Sequence, residues 1–163
     1  MRNNKRIALR GCLMALALVL SYLESLVPVF WAFPGIRLGI ANIVTVYVLY
    51  TMGAADACFV TVGRLVLSML LFGNVTTLIY SAAGAVCSMT VMLLAKPLPH
   101  FSGTGVSILG GVFHNIGQTV AAAFLLSNGN LMLILTVLLP VGAVAGTVIG
   151  FLAGVLIKRF PQE

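Results

Sequence analysis

"LMLILTVLLPVGAVAGTVIGFLAGVLI" (Leu131–Ile157) contains no charged residue, and Lys158 and Arg159 follow it directly. A helix needs about 20 mostly apolar residues to cross the hydrocarbon of a bilayer, and this stretch exceeds that. The rest of the chain is similar. Of its 163 residues, 61% are hydrophobic and 7% charged, and the mean hydropathy is +1.15. Soluble domains carry about 25% charged residues. Nine Lys/Arg and three Asp/Glu cannot cover a water-facing surface, so the outer surface is expected to face lipid. Further apolar stretches lie near Ile7–Val27, Ile36–Met52, Ala57–Phe72, Thr76–Ala95 and Gly105–Leu126. The expected fold class is all-α: a bundle of about six transmembrane helices in one domain spanning residues 1–163.

A net charge of +6 raises the question of nucleic acid, but its distribution argues against that partner. Arg2, Lys5, Arg6 and Arg10 flank the first span, Lys96 follows the fourth, and Lys158 and Arg159 follow the last. Loops rich in Lys and Arg stay in the cytoplasm, which puts both termini of a multi-pass cell-membrane protein there. Pro28–Gly35, Gly73–Val75 and Ser127–Asn130 then face outward. The first span resembles a signal peptide, but it lacks a small-residue cleavage site, so it is read as a retained helix. "LRGC" (Leu9–Cys12) mimics a lipoprotein box without the apolar stretch that should precede one. Cys12, Cys58 and Cys87 form no C-x-x-C pair and are read as small apolar packing residues. No metal and no cofactor is expected. "NVT" (Asn74–Thr76) matches the glycosylation pattern within a turn between two spans.

Three features depart from plain apolar sequence. Gly142, Gly146, Gly150 and Gly154 recur every four residues and make a bare stripe for close backbone contact, either within the bundle or with a partner. Gly11 and Ala15 are a weaker pair of the same kind. In "GVSILGGVFHNIGQTVAAA" (Gly105–Ala123), the helical period puts Gly110/Gly111, His114/Asn115, Gly117/Gln118 and Ala121/Ala122 on one face. Val112, Phe113, Ile116, Val120 and Phe124 take the other. Polar side chains at that depth are satisfied either by neighbouring helices, at about 1 kcal/mol each, or by a ligand. Arg64 lies inside the third span, where insertion costs about 2.5–3.5 kcal/mol. It either snorkels and binds carbonyls or serves a site.

Arg37 begins the second span after the Pro34-Gly35 turn, with Asn42 deeper in that span and Glu24 at the same level on the first. An ordinary Glu24–Arg37 ion pair and a solute-capturing arginine both fit. Arg37 and Arg64 against Glu24 leave a positive excess, which leans toward an anionic ligand.

"PGIRLGIANIVTVYVLY" (Pro34–Tyr50), "GRLVLSMLLFGN" (Gly63–Asn74), "LIYSAAGAVCSM" (Leu78–Met89) and "GVSILGGVFHNIGQ" (Gly105–Gln118) together resemble the Gx transporter family, which is also labelled heptaprenyl diphosphate synthase component I. The resemblance runs from about Ser21 to about Gly150. That family is similar to the substrate-binding S components of energy-coupling-factor vitamin transporters. These are six-helix membrane proteins that bind solute on the outward side and dock, through small residues on the first helix, to a transmembrane coupling protein with ATPases. The resemblance implies that Gly11 and Ala15 occupy the docking position, although they are not a clean Ala-x-x-x-Ala.

The synthase label meets a chemical objection. Prenyl chain elongation uses Mg²⁺ held by aspartate clusters, and Asp56 is the chain's one Asp. Nucleotide-binding and hydrolase motifs are missing as well. The expectation is a non-enzyme: a substrate-binding transporter subunit for a small, anionic or vitamin-like solute. Glu24, Arg37 and Asn42 would line its mouth, His114, Asn115 and Gln118 its deeper site, and Arg64 would be added to these. Its partners would be membrane lipids, the solute and a coupling module. The alternative is a membrane accessory subunit in prenyl diphosphate, quinone or flavin-related metabolism.

Overall fold

The computed structural model describes residues 2–26 and 39–160. Six α-helices account for most of them: α1 (Arg2–Leu26), α2 (Asn42–Thr51), α3 (Ala54–Leu71), α4 (Val75–Ala95), α5 (Gly103–Leu125) and α6 (Leu135–Arg159). A 3-10 segment, Gly129–Ile134, leads into α6. There is no strand among the described residues. Every helix except α2 is long and apolar enough to cross a membrane.

The second expected span is shorter than its sequence suggests. At 1.5 Å per residue, the 10 residues of α2 cover about 15 Å, half of the hydrocarbon thickness. Its start is fixed by a tight turn in which the Asn42 amide donates to the Gly39 carbonyl at 2.8 Å. Gly39 has φ +82°, a left-handed conformation that glycine adopts at no steric cost. Residues Ile36–Leu38 of that expected span, with Arg37 and the Pro28–Gly35 loop, lie outside the described residues.

The lipid-facing surface is apolar in the way a hydrocarbon solvent demands. Phe124 is 87% exposed, and Leu70, Val86, Leu94, Val144 and Phe151 also face outward. Hydroxyls on that surface are satisfied within their own helices, because lipid offers no partner. Thr90 and Thr147 donate to the carbonyls of Val86 and Ala143, both at 2.8 Å. Cys12 and Cys58 are exposed as well, which corrects the reading of these two as packing residues, whereas Cys87 is half-buried and lies against Gly117 of α5.

α5 sits between α4 and α6 and packs most extensively against both. Glycines make this possible. A Cβ on Gly146 would stand 2.7 Å from Ile108 Cα, and one on Gly150 would stand 2.8 Å from Thr104 Cα. On the other side of α5, a Cβ on Gly117 would meet the Ala83 carbonyl oxygen at 2.6 Å. Backbones touch with no side chain between them, the arrangement by which small residues hold membrane helices together. The α6 stripe is therefore intramolecular for Gly142, Gly146 and Gly150. Gly154 differs, since nothing lies within 4 Å of where its Cβ would be. Gly11 also meets nothing within 4 Å, and Ala15 beside it is exposed.

α1 lies against α3 and, less, against α2. Its first turns are held by Asp56 at the start of α3, which pairs with both Arg6 and Arg10. The Asp56 side chain is fully buried. This end of the bundle gathers the basic residues. Here Lys96 donates to the Leu49 carbonyl at 2.7 Å, and Tyr47 donates to the Phe160 carbonyl at 3.0 Å. At the opposite end Asn74 opens α4 with a reciprocal cap: the Thr77 amide donates to Asn74 Oδ1 at 2.8 Å, and the Asn74 amide to Thr77 Oγ1 at 3.0 Å.

Candidate functional site

Between the basic end and the Asn74 end, buried polar side chains collect in the half nearer Asn74. Helix direction places them there. Glu24 is near the end of α1, Asn42 at the start of α2, and His114 to Gln118 on the middle of α5. Burying a polar group without a partner costs about 2–7 kcal/mol, so each of these has to be accounted for.

Glu24 was expected at a solvent-facing lip. It is 6% exposed and accepts a hydrogen bond from the Gly39 amide. The reason is positional: the Gly39 turn folds back over α1 and brings a free backbone donor to the carboxylate. Gly39 also joins the two halves of the expected site. A Cβ there would meet Asn42 Nδ2 at 2.8 Å and His114 Cδ2 at 3.7 Å. Glu24, Asn42 and His114, from three different helices, thus converge on one glycine.

His114 is seated by a second glycine. A side chain at Gly84 of α4 would meet the His114 backbone oxygen at 2.8 Å and the ring Nδ1 at 3.1 Å. Below it, Asn115 Nδ2 donates to the Leu138 carbonyl of α6 at 2.7 Å. Asn115 Oδ1 in turn accepts from Gln118 Nε2 at 2.9 Å. Asn115 reaches α6 because Gly142 is bare there: a Cβ on Gly142 would lie 2.7 Å from its Nδ2. His114, Asn115 and Gln118 are all buried, Gln118 completely.

Arg64 is 4% exposed and donates through Nη1 to Ser21 Oγ at 2.9 Å. It does not snorkel to the membrane surface. Ser21 lies one turn before Glu24 on the buried face of α1, so the arginine and the carboxylate share a helix face through that serine. One turn beyond Arg64 on α3, Ser68 faces Ser81 of α4 across a cavity of about 10 Å³. Farther down, Thr45 of α2 and Thr61 of α3 lie within hydrogen-bond distance at 3.1 Å.

Of the seven expected binding residues, six are therefore buried. They are Glu24, Asn42, Arg64, His114, Asn115 and Gln118. The seventh, Arg37, lies outside the described residues. Sequence reading missed Ser21, Gly39 and Gly84. Ser21 carried a signal, being a small polar residue three before Glu24 on an otherwise apolar helix. Gly39 and Gly84 lie inside quoted motifs, but nothing in their local sequence says that a histidine packs on them. Among the described residues there is no group of three or more His, Cys, Asp or Glu placed to hold a metal ion.

Comparison with known proteins adds one match. The family model described as heptaprenyl diphosphate synthase component I matches residues 13–156, which takes in α2 to α5 whole, the second half of α1 and most of α6. No curated protein matches the chain, and no solved structure does.

Proposed function

This chain belongs to the heptaprenyl diphosphate synthase component I family, and from that premise we propose that it is a substrate-binding membrane subunit for uptake of a small polar solute. The observation that supports this reading is the convergence of Glu24, Asn42 and His114 on Gly39, with Asn115, Gln118 and Arg64 behind them, in a bundle that is otherwise apolar. Buried polar groups in a membrane bundle mark substrate pathways by default. A ligand site needs a few fixed polar groups that converge from several elements, and four helices supply them here.

The donors set the class of solute. The Arg64 guanidinium, the Asn115 and Gln118 amides and the Gly39 amide favour a molecule carrying a carboxylate, a phosphate or several carbonyl oxygens. Glu24 answers a donor group on the same molecule. Binding breaks the Glu24–Gly39 bond and replaces it with solute contacts, so the turn before α2 moves as solute arrives. With the basic end in the cytoplasm, the site faces outward. Movement of solute to the inner side then draws on a separate coupling module, which the open Gly11/Ala15 face of α1 suits.

A second reading follows from the family description itself. A membrane accessory component of prenyl diphosphate metabolism would present a lipid substrate and transport nothing. Native mass spectrometry of the gently extracted protein separates the two. A co-purified small polar molecule, lost in His114→Ala and Gln118→Ala, supports uptake. Retention of an isoprenoid by the parent and both variants, with no polar molecule, overturns it.

A further inference from the structure

A groove of about 450 Å³ opens at the basic end, away from the buried polar region. Its walls are α2, the start of α5 and the last turns of α6. Polarity is graded along it. Ser102, Thr104 and Lys158 line it where α5 begins and α6 ends, at the level of the membrane surface. Val46 and Gly150 line it deeper. Along α6, Gly150 lies about 12 Å below Lys158 at 1.5 Å per residue. Phe151 and Val155 form part of the wall and are also exposed on the outer surface, so the groove opens sideways into the bilayer. Gly154 shapes it, since its side-chain space is empty to 4 Å while the side-chain spaces of the three glycines deeper along α6 are filled by α5.

We propose that this groove binds an anionic phospholipid of the adjacent leaflet. The phosphate lies beside Lys158 and the Ser102 and Thr104 hydroxyls, and one acyl chain runs down past Gly154 to Val46 and Gly150. Charge complementarity carries the choice of occupant. Among the described residues the acid at this end is Asp56, and Arg6 and Arg10 already hold it. Lys96 stands 5.0 Å over the ring of Tyr50, another wall residue, and donates to the Leu49 carbonyl, which leaves Lys158 as the cation that lines the groove. Lysine binds phosphate as a point charge, and basic residues at the membrane surface attract anionic lipid. A monoanionic phosphodiester fits this modest charge better than a diphosphate, whose usual cradle is carboxylate-held Mg²⁺. The inference does not depend on the uptake reading.

The test places the full chain in nanodiscs of equal phosphatidylglycerol and phosphatidylcholine and reads the retained lipid by native mass spectrometry. The parent is expected to retain phosphatidylglycerol about fivefold over phosphatidylcholine, the factor one surface lysine supplies. Lys158→Gln abolishes that preference while lipid is still retained. Gly154→Leu, whose Cβ meets no neighbour within 4 Å and whose branch extends into the groove, lowers retention of both lipids. Equal retention by the parent overturns the proposal, as does a preference that survives both variants. Displacement of phosphatidylglycerol by equimolar farnesyl diphosphate overturns it in favour of an isoprenoid site. Lys158→Gln alters no packing, so the test holds even if Gly154→Leu fails to fold.

Discussion

Replacing Gly146 with alanine tests the contact on which the α4–α5–α6 core rests. The new Cβ would stand 2.7 Å from both Ile108 Cα and the Ser107 carbonyl oxygen. Favourable carbon contacts lie at about 3.5–4.0 Å, so the helices must part by about 1 Å. Both obstructing atoms are backbone and cannot rotate aside. Overpacking of this kind costs about 1–3 kcal/mol. Alanine regains about 1 kcal/mol of helix propensity, which leaves a net loss of up to about 2 kcal/mol. Gly154→Ala is the internal control: it has the same helix, the same chemistry and no neighbour within 4 Å, so the propensity gain stands alone. Unfolding in mixed micelles, followed by far-UV circular dichroism, should show Gly146→Ala less stable than the parent by up to about 30-fold and Gly154→Ala at least as stable as the parent. Equal stability of the two variants would refute the backbone contact between α5 and α6.

Two further outcomes follow from the ends of the bundle. Asp56→Asn leaves Arg6 and Arg10 without their buried partner and should cost up to about 3 kcal/mol. Arg6→Gln should cost under about 1 kcal/mol, because its side chain is 51% exposed against 29% for Arg10; micelle unfolding measures both, and a reversed order counts against the pairing. Gly39→Ala puts a side chain at φ +82° and against Asn42. It should lose about 1–2 kcal/mol from the left-handed backbone and weaken retention of the co-purified solute more than Gly53→Ala does. Gly53 has φ +102° but an empty side-chain space, so equal effects would sever the turn from the site.

The membrane class and the helix order were legible because hydrocarbon imposes length and composition on every span. The polar face of α5 was legible because four residue pairs repeat at helical spacing. The level of Glu24 was not. A carboxylate near a helix end reads as solvated until the Gly39 amide is found folded onto it, and that fold depends on a left-handed glycine whose neighbours in space come from α1 and α5. Arg64 stayed open between snorkelling and a buried role for a related reason: its partner, Ser21, is on another helix and is neither acidic nor basic. The short α2 escaped because the apolar run continues through its boundary, and only a turn geometry separates the two. The glycine stripe was visible as a period, whereas the difference between its upper three members and Gly154 depends on where α5 begins.

Backbone contact at Gly111, Gly117 and Gly146 leaves α5 little cushion of flexible side chains against α4 and α6. A displacement of α5 must therefore carry α4 and α6 with it as one stator. The more lightly packed element is α1, which lies against α3 and, less, against α2 and turns Leu16, Val19 and Leu23 outward. Relative movement is therefore expected at α1 and the Gly39 turn that rests on it, and not at the α4–α5–α6 contacts.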